Sequence, residues 1–239
     1  NVMSSKVSIA VMQPYVFPYF GYFQLVNAVD KFVFLDDVNF IKKGWINRNN
    51  ILLNGKASLI NIPVSKASQN ELIMNLNVSE EGNWRGKLLT SLSHAYKKAP
   101  FYEDRIELIK GIIEKEHLSI ADFCKNSVVA ICKELGVNTE FVHSSSIYPK
   151  DAYGSERILD ICIRNEATTY INPQGGVDLY DKEMFSSKGV ELKFIYMDNS
   201  LAYVQFEKQE FIPNLSIIDV LMYNSNEQIL ELLIKYELK

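Results

Sequence analysis

The sequence predicts an α/β fold: a mostly parallel, Rossmann-like sheet flanked by helices, with an inserted β-hairpin and a helical excursion. Three observations point there. Short β-branched runs alternate with helix-length amphipathic segments over most of the 239 residues, as in a parallel sheet. Asn54-Gly55 stands between two apolar runs, the strongest short hairpin signal. From about Glu80 to Gly136 one helix-period segment follows another with no strand among them.

In chain order, Val7–Met12 is a buried strand, a short apolar run stopped by proline. Phe20–Val29 has helical spacing, with Phe20, Phe23, Val26 and Asn27 returning at three and four. Phe32–Leu35 is the next strand and ends at Asp36-Asp37. Asn47–Leu53 and Ser58–Pro63 form the hairpin, about residues 46–63. Trp84–Lys98, Glu103–Glu116 and Ile120–Leu135 are the helices of an insertion of about residues 80–136, the last capped by Ser119 and stopped by Gly136. Thr139–His143, Thr168–Asn172 and Val190–Met197 then read as strands, with Ser155–Arg164 and Leu179–Lys188 as the helices between them. Leu215–Tyr223 and Asn226–Tyr236 finish the chain as helices. With no repeat and no low-complexity linker, residues 1–239 read as a single α/β domain that buries roughly 70–75% of its unfolded surface.

Composition excludes several classes. Apolar and charged fractions of 47% and 23% are ordinary for a globular protein. A net charge of −4 gives no reason to expect a nucleic-acid partner. No stretch approaches the ~18 apolar residues of a membrane span, and the amino terminus lacks the zones of a signal peptide. Cys124 and Cys132, eight apart on one helix, would lie about 12 Å apart along its axis, too far for a disulfide, which needs Cα atoms within about 7 Å. With Cys162 they read as reduced core thiols of a cytoplasmic protein. His94, His117 and His143 are scattered, so no metal site and no cofactor is expected. A homo-oligomer stays open.

Polar and aromatic groups concentrate just past three predicted strand ends, where an open parallel sheet binds its ligands. Gln13-Pro14-Tyr15 follows the first strand, with Pro18, Gly21 and Tyr22 behind it. The prolines stiffen the turn. Gln13, Tyr15 and Tyr22 supply an amide and phenols that hydrogen-bond a sugar or stack on a base. The second segment is Asp36-Asp37 followed by Lys42, Lys43, Trp45, Asn47, Arg48 and Asn49. A strand-end carboxylate serves as general base, so Asp36 and Asp37 are the candidate catalytic residues, and strand alternation would direct at most one into a pocket. Arg48, by its fork, and a lysine such as Lys43, as a point charge, suit a diphosphate. The third segment, Asn172 to Gly175 and Gly176 with Tyr180, reads as a backbone N–H cradle, and Arg157 is a reserve phosphate ligand. Each segment also has a plain structural reading: a rigid plug, a solvated turn with surface ion pairs, or a tight glycine turn. Ser216 with Asp219 three residues on reads as a capping box. The layout is similar in outline to nucleotidylyl-transfer folds, yet no histidine stands after the first strand, so fold alone gives no warrant for that chemistry.

Gln13 to Tyr22, the Asp36-Asp37 pair and Trp45-Ile46-Asn47-Arg48-Asn49 together resemble the WbqC-like proteins, a family associated with bacterial O-antigen and other surface-polysaccharide biosynthesis. The likeness runs to about Asn224 and includes the glycine turn at Gly175-Gly176 with Tyr180 downstream. It implies an enzyme that forms an amide on the amine of a nucleotide-linked amino sugar, using an acyl or aminoacyl donor of unspecified kind. Asp36 or Asp37 would take the amine proton, and Arg48 would hold phosphate. Two other readings remain open. One is glycosyl transfer from a nucleotide sugar, although the Asp pair lacks the DxD spacing that often holds metal and diphosphate. The other is a non-catalytic sugar-nucleotide or glycan-binding accessory protein, with Trp45 and the tyrosines as platforms.

Overall fold

A computed structural model describes residues 5–66, 70–205 and 209–239. Its centre is a six-stranded sheet in the order β5-β2-β1-β6-β7-β8. The strands are β1 (Ser8–Met12), β2 (Lys31–Phe34), β5 (Glu140–Val142), β6 (Thr169–Pro173), β7 (Glu191–Met197) and β8 (Tyr236–Leu238). The first five of these run parallel, and β8 pairs antiparallel with β7, Tyr196 opposite Glu237. The sequence predicts a last helix that runs to Tyr236. Instead α8 (Asn226–Leu233) stops after its Ser225–Gln228 capping box has set its start, and the chain turns back to cover the β7 edge.

The separate hairpin, β3 (Arg48–Leu53) and β4 (Lys56–Asn61), turns at Asn54-Gly55 with φ of 52° and 74°. Positive φ at both positions is the turn whose twist matches paired strands, and this is why Asn-Gly announces it. The excursion supplies α2 (Trp84–Tyr96), α3 (Tyr102–Ile113) and α4 (Ile120–Leu135). In α4 the Ser119 hydroxyl accepts from the Asp122 N–H at 3.0 Å, and Gly136 ends the helix at φ 75°. After β6, the predicted helix Leu179–Lys188 resolves into a 3-10 turn over Gln174–Leu179 and a short α6 (Lys182–Ser186) capped by Asp181.

Alternation along β1 and β2 sends side chains to two cores. Ala10, Phe32 and Phe34 join α1 (Phe20–Ala28), the hairpin and α2–α4 with α7 (Ile217–Tyr223) and α8. Ile9, Val11 and Val33 face the other way, onto α5 (Gly154–Arg164) and Phe185 of α6. Burial on both faces is what a parallel sheet requires. No helix among the described residues is long and apolar enough to cross a membrane.

The strand order decides where function can sit. From β1 the chain moves outward to β2 and β5 on one side, then returns to the other side through β6 and β7. All five parallel strands present their carboxyl ends at one edge, and the order reverses beside β1, the crevice where such sheets bind ligands.

Candidate functional site

The Asp36-Asp37 pair leaves the end of β2 and turns inward: both residues are 2% exposed. Because β2 ends at Phe34, strand alternation no longer applies, and both carboxylates enter one buried cluster. Asp36 accepts from Lys125 Nζ at 2.7 Å through Oδ2 and from the Ser144 hydroxyl at 2.7 Å through Oδ1. Asp37 receives both Nη groups of Arg157, at 2.8 and 2.7 Å, in a bidentate fork. The Ser145 hydroxyl reaches Asp37, and its oxygen accepts from the Asp36 N–H at 3.1 Å. Lys150 closes the turn by donating to the Asp37 carbonyl. Four chain segments therefore converge: the β2 end, α4, the β5 end and α5.

Burial alone would raise the Asp37 carboxyl, but the Arg157 guanidinium and the Ser145 hydroxyl outweigh it and hold Asp37 below the ordinary carboxylate range. Asp37 is a fixed negative charge. Asp36 has a hydrogen-bonded route outward: its Ser144 partner is half-buried and lies 2.7 Å from the exposed Ser146 hydroxyl. A line of hydroxyls thus connects a buried carboxylate with the surface.

The Gln13–Tyr22 and Asp36–Asn49 segments meet directly. The Val16 N–H donates to Ile46 O at 2.9 Å, and Asn49 Nδ2 donates to Phe17 O at 3.0 Å. Phe17 stands at φ 38°, held there by Ser127, Asn49 and Ser216. Gln13 is half-buried, and its side chain makes no hydrogen bond among the described residues; Tyr15 is half-buried beside it. Tyr22, by contrast, is 1% exposed and donates its hydroxyl to the Gln13 carbonyl at 2.8 Å, so it supports the turn from within the core. Asn49 likewise has both ends of its amide bonded to main chain.

On the hairpin side, a cavity of about 500 Å³ is lined by Phe40, Lys42, Lys43, Asn47, Arg48 and Lys66, among others. Asn47 Nδ2 donates to Asn61 Oδ1 and Ile62 O, which fixes the amide, and its Oδ1 is buried without a partner among the described residues. Trp45 is 49% exposed. The third segment lies past β6, across the order reversal from Gln13. Gly175 and Gly176 stand in the 3-10 turn, and neither has a positive φ, so the alternating backbone of an anion nest is not formed there. Gly176 answers a packing need instead: a Cβ on it would fall 1.9 Å from Asn172 Nδ2. Tyr180 is half-buried against Tyr170 and Phe185.

Sequence reasoning misses the parts of Lys125, Ser145 and Lys150, and it reserves Arg157 for phosphate, whereas both Nη groups of the buried guanidinium are taken up by Asp37. A signal for Lys125 exists. It occupies the buried stripe of α4 formed by Ala121, Cys124, Val128, Ile131 and Cys132, where a lysine has no place without a partner. The Asp219 side chain also departs from the capping box. It accepts from Tyr96, Tyr203 and Gln205, while Ser216 caps the helix alone.

Fold and cluster together define a Rossmann-like α/β protein with a buried, charge-balanced carboxylate pair at the carboxyl edge of its sheet. Residues 13–231 match the WbqC-like protein family, and the chain belongs to that family. An uncharacterised protein of Mycobacterium tuberculosis is 25% identical over 214 residues, covering 89% of this chain and 92% of that protein. No solved structure matches the chain.

Proposed function

We propose that the protein is a cytoplasmic enzyme of surface-polysaccharide biosynthesis that forms an amide on the amine of a nucleotide-linked amino sugar. The observation that carries this reading is the Asp36–Ser144–Ser146 line of acceptor and hydroxyls, opening from a buried carboxylate at the carboxyl edge of the parallel sheet, the edge at which such folds generally bind ligands. In the proposed step the sugar amine attacks the carbonyl carbon of an acyl donor, the new C–N bond forms, and the bond to the donor's leaving group breaks. The amine proton passes to Ser144 Oγ while the Ser144 proton moves to Asp36, and the leaving group departs with its electron pair. Lys125 keeps Asp36 charge-balanced before the proton arrives.

Asp37 and Arg157 hold the turn in this scheme, since a carboxylate kept below the ordinary range is a poor base. Gln13 and Tyr15 take the sugar, Trp45 takes the base, and Tyr22, Asn47, Asn49 and Gly176 shape the walls behind them. Tyr180 and Gly175 border the acyl-donor side.

The test is incubation with a panel of nucleotide-linked amino sugars and acyl donors, followed by product mass. A mass gain equal to the acyl group is expected, with Ser144→Ala slowing it by about 10²-fold or more. Clear ligand binding with no mass gain from any pair would favour the non-catalytic binding reading.

A further inference from the structure

The cavity beside the hairpin carries an unbalanced charge. Lys42, Lys43, Arg48 and Lys66 line it, and among the described residues no carboxylate does. Among the described residues, none of these four cations forms an ion pair with Asp or Glu. Arg48 has other work. Its Nε donates to Gly44 O at 3.2 Å and its Nη2 to Lys43 O, so the guanidinium clamps the turn before the hairpin. Lys43 within that turn stands at φ 59°, a left-handed conformation that glycine adopts with less strain. A strained residue held by its surroundings, with a charged side chain at a cavity, points to a use for that side chain. The adjoining cavity, which shares Val64, Ser65 and Lys66, carries Glu80 and Glu81 and so disfavours anions. A volume of about 500 Å³ is ordinary for a small-molecule site. Phe40 follows Asp37 by three residues, so at most about 11 Å of chain separates the cavity from the carboxylate cluster.

The geometry points to this cavity as the seat of the diphosphate of a nucleoside diphosphate-linked ligand, held by Lys42, Lys43 and Lys66. The inference rests on the nucleotide-linked substrate proposed above and adds the place and the residues that take its phosphates. Lysines as point charges suit a flexible diphosphate, while Arg48 stays with the backbone. Phe40 in the lining and exposed Trp45 on the same loop offer flat apolar surface to the base.

Calorimetric titration with inorganic pyrophosphate and with uridine diphosphate tests this on the intact protein. Both should bind in competition, with affinity falling as salt rises. Lys43→Gln and Lys66→Gln should each weaken pyrophosphate about tenfold while leaving the circular dichroism spectrum unchanged. Lys43→Gly should melt at a higher temperature than the parent and still bind more weakly, two shifts that a purely structural lysine would not combine. No pyrophosphate binding at low salt, or undiminished affinity in both Gln variants, would overturn the assignment. Binding to phosphatidylglycerol vesicles without affinity for free pyrophosphate would overturn it too, in favour of a lipid headgroup. Pyrophosphate bound here, with no amide made from any amino sugar, keeps the site and retires the reaction. Amide made at the parent rate by Lys43→Gln and Lys66→Gln retires the site alone.

Discussion

Replacing Arg157 by Met removes the guanidinium from the carboxylate cluster while keeping much of its length. Arg157 is 5% exposed and Asp37 is 2% exposed, so water does not reach freely into the gap. The substitution breaks both arms of the fork to Asp37 and also strands the Ser145 and Pro149 carbonyls, each of which accepts from Arg157 at 3.2 Å. Breaking a buried pair from one side costs about 3–5 kcal/mol. Ser145 and Lys150 remain near Asp37 to soften the loss, so about 4 kcal/mol is expected for the whole change. For a chain of this length that lowers the melting temperature by about 8–16 °C. Urea unfolding followed by circular dichroism measures it, with the parent m-value as a check that the same transition is seen. The double variant Asp37→Leu with Arg157→Met should recover more than half, because an apolar pair leaves no orphaned charge.

The pH dependence supplies a signed test of the same pair. The folded Asp37 value lies below its ordinary 3.8, so the stabilisation is complete above that value and is lost as pH falls through the folded value. The gap between parent and Arg157→Met should therefore close in acid, below about pH 4. A loss under about 1 kcal/mol at pH 7, or a gap that widens in acid, would refute the clamp.

Three further outcomes follow from particular contacts. Gly176→Ala should cost about 1–3 kcal/mol in urea, since its Cβ would lie 1.9 Å from Asn172 Nδ2 and disturb the Asn172–Tyr170 bond; Gly175→Ala, with nothing within 4 Å, should stay within about 0.5 kcal/mol. Asp219→Ala removes the shared acceptor of Tyr96, Tyr203 and Gln205 and should cost about 3 kcal/mol. Asp219→Asn, neutral like the acid form that burial favours, should lose less than half of that on the same unfolding curve. All three cysteines are buried, with burial pushing Cys132 and Cys162 up to about 12 and Cys124 also upward. A thiol reagent at pH 8 should find none of them in the folded protein and all three in urea.

Local chemistry made much of the fold legible. Asn54-Gly55 fixed the hairpin, Ser119 and Gly136 bounded α4, and the apolar runs located β1, β2, β6 and β7. What stayed hidden depends on distance along the chain. The partners of Asp36 and Asp37 lie 89 to 120 residues away, and no periodicity reports such a meeting. The turn of β8 back against β7 is hidden for a related reason: Asn226–Tyr236 reads as helix locally, and the open β7 edge decides otherwise. For the candidate site, the sequence pointed to the segments but not to the division of labour within them. Tyr22 and Asn49 face inward and build the turn, while Ser144, just past the end of β5, stands against Asp36.

The most direct measurement is a crystal structure of the protein with a nucleotide-linked amino sugar bound. The diphosphate is expected against Lys42, Lys43 and Lys66, with the sugar beside Gln13 and its amine within hydrogen-bond reach of the Ser144 hydroxyl. A sugar nucleotide seated on the far side of β1, along the Gln174–Leu179 turn with its amine away from Ser144, would contradict it.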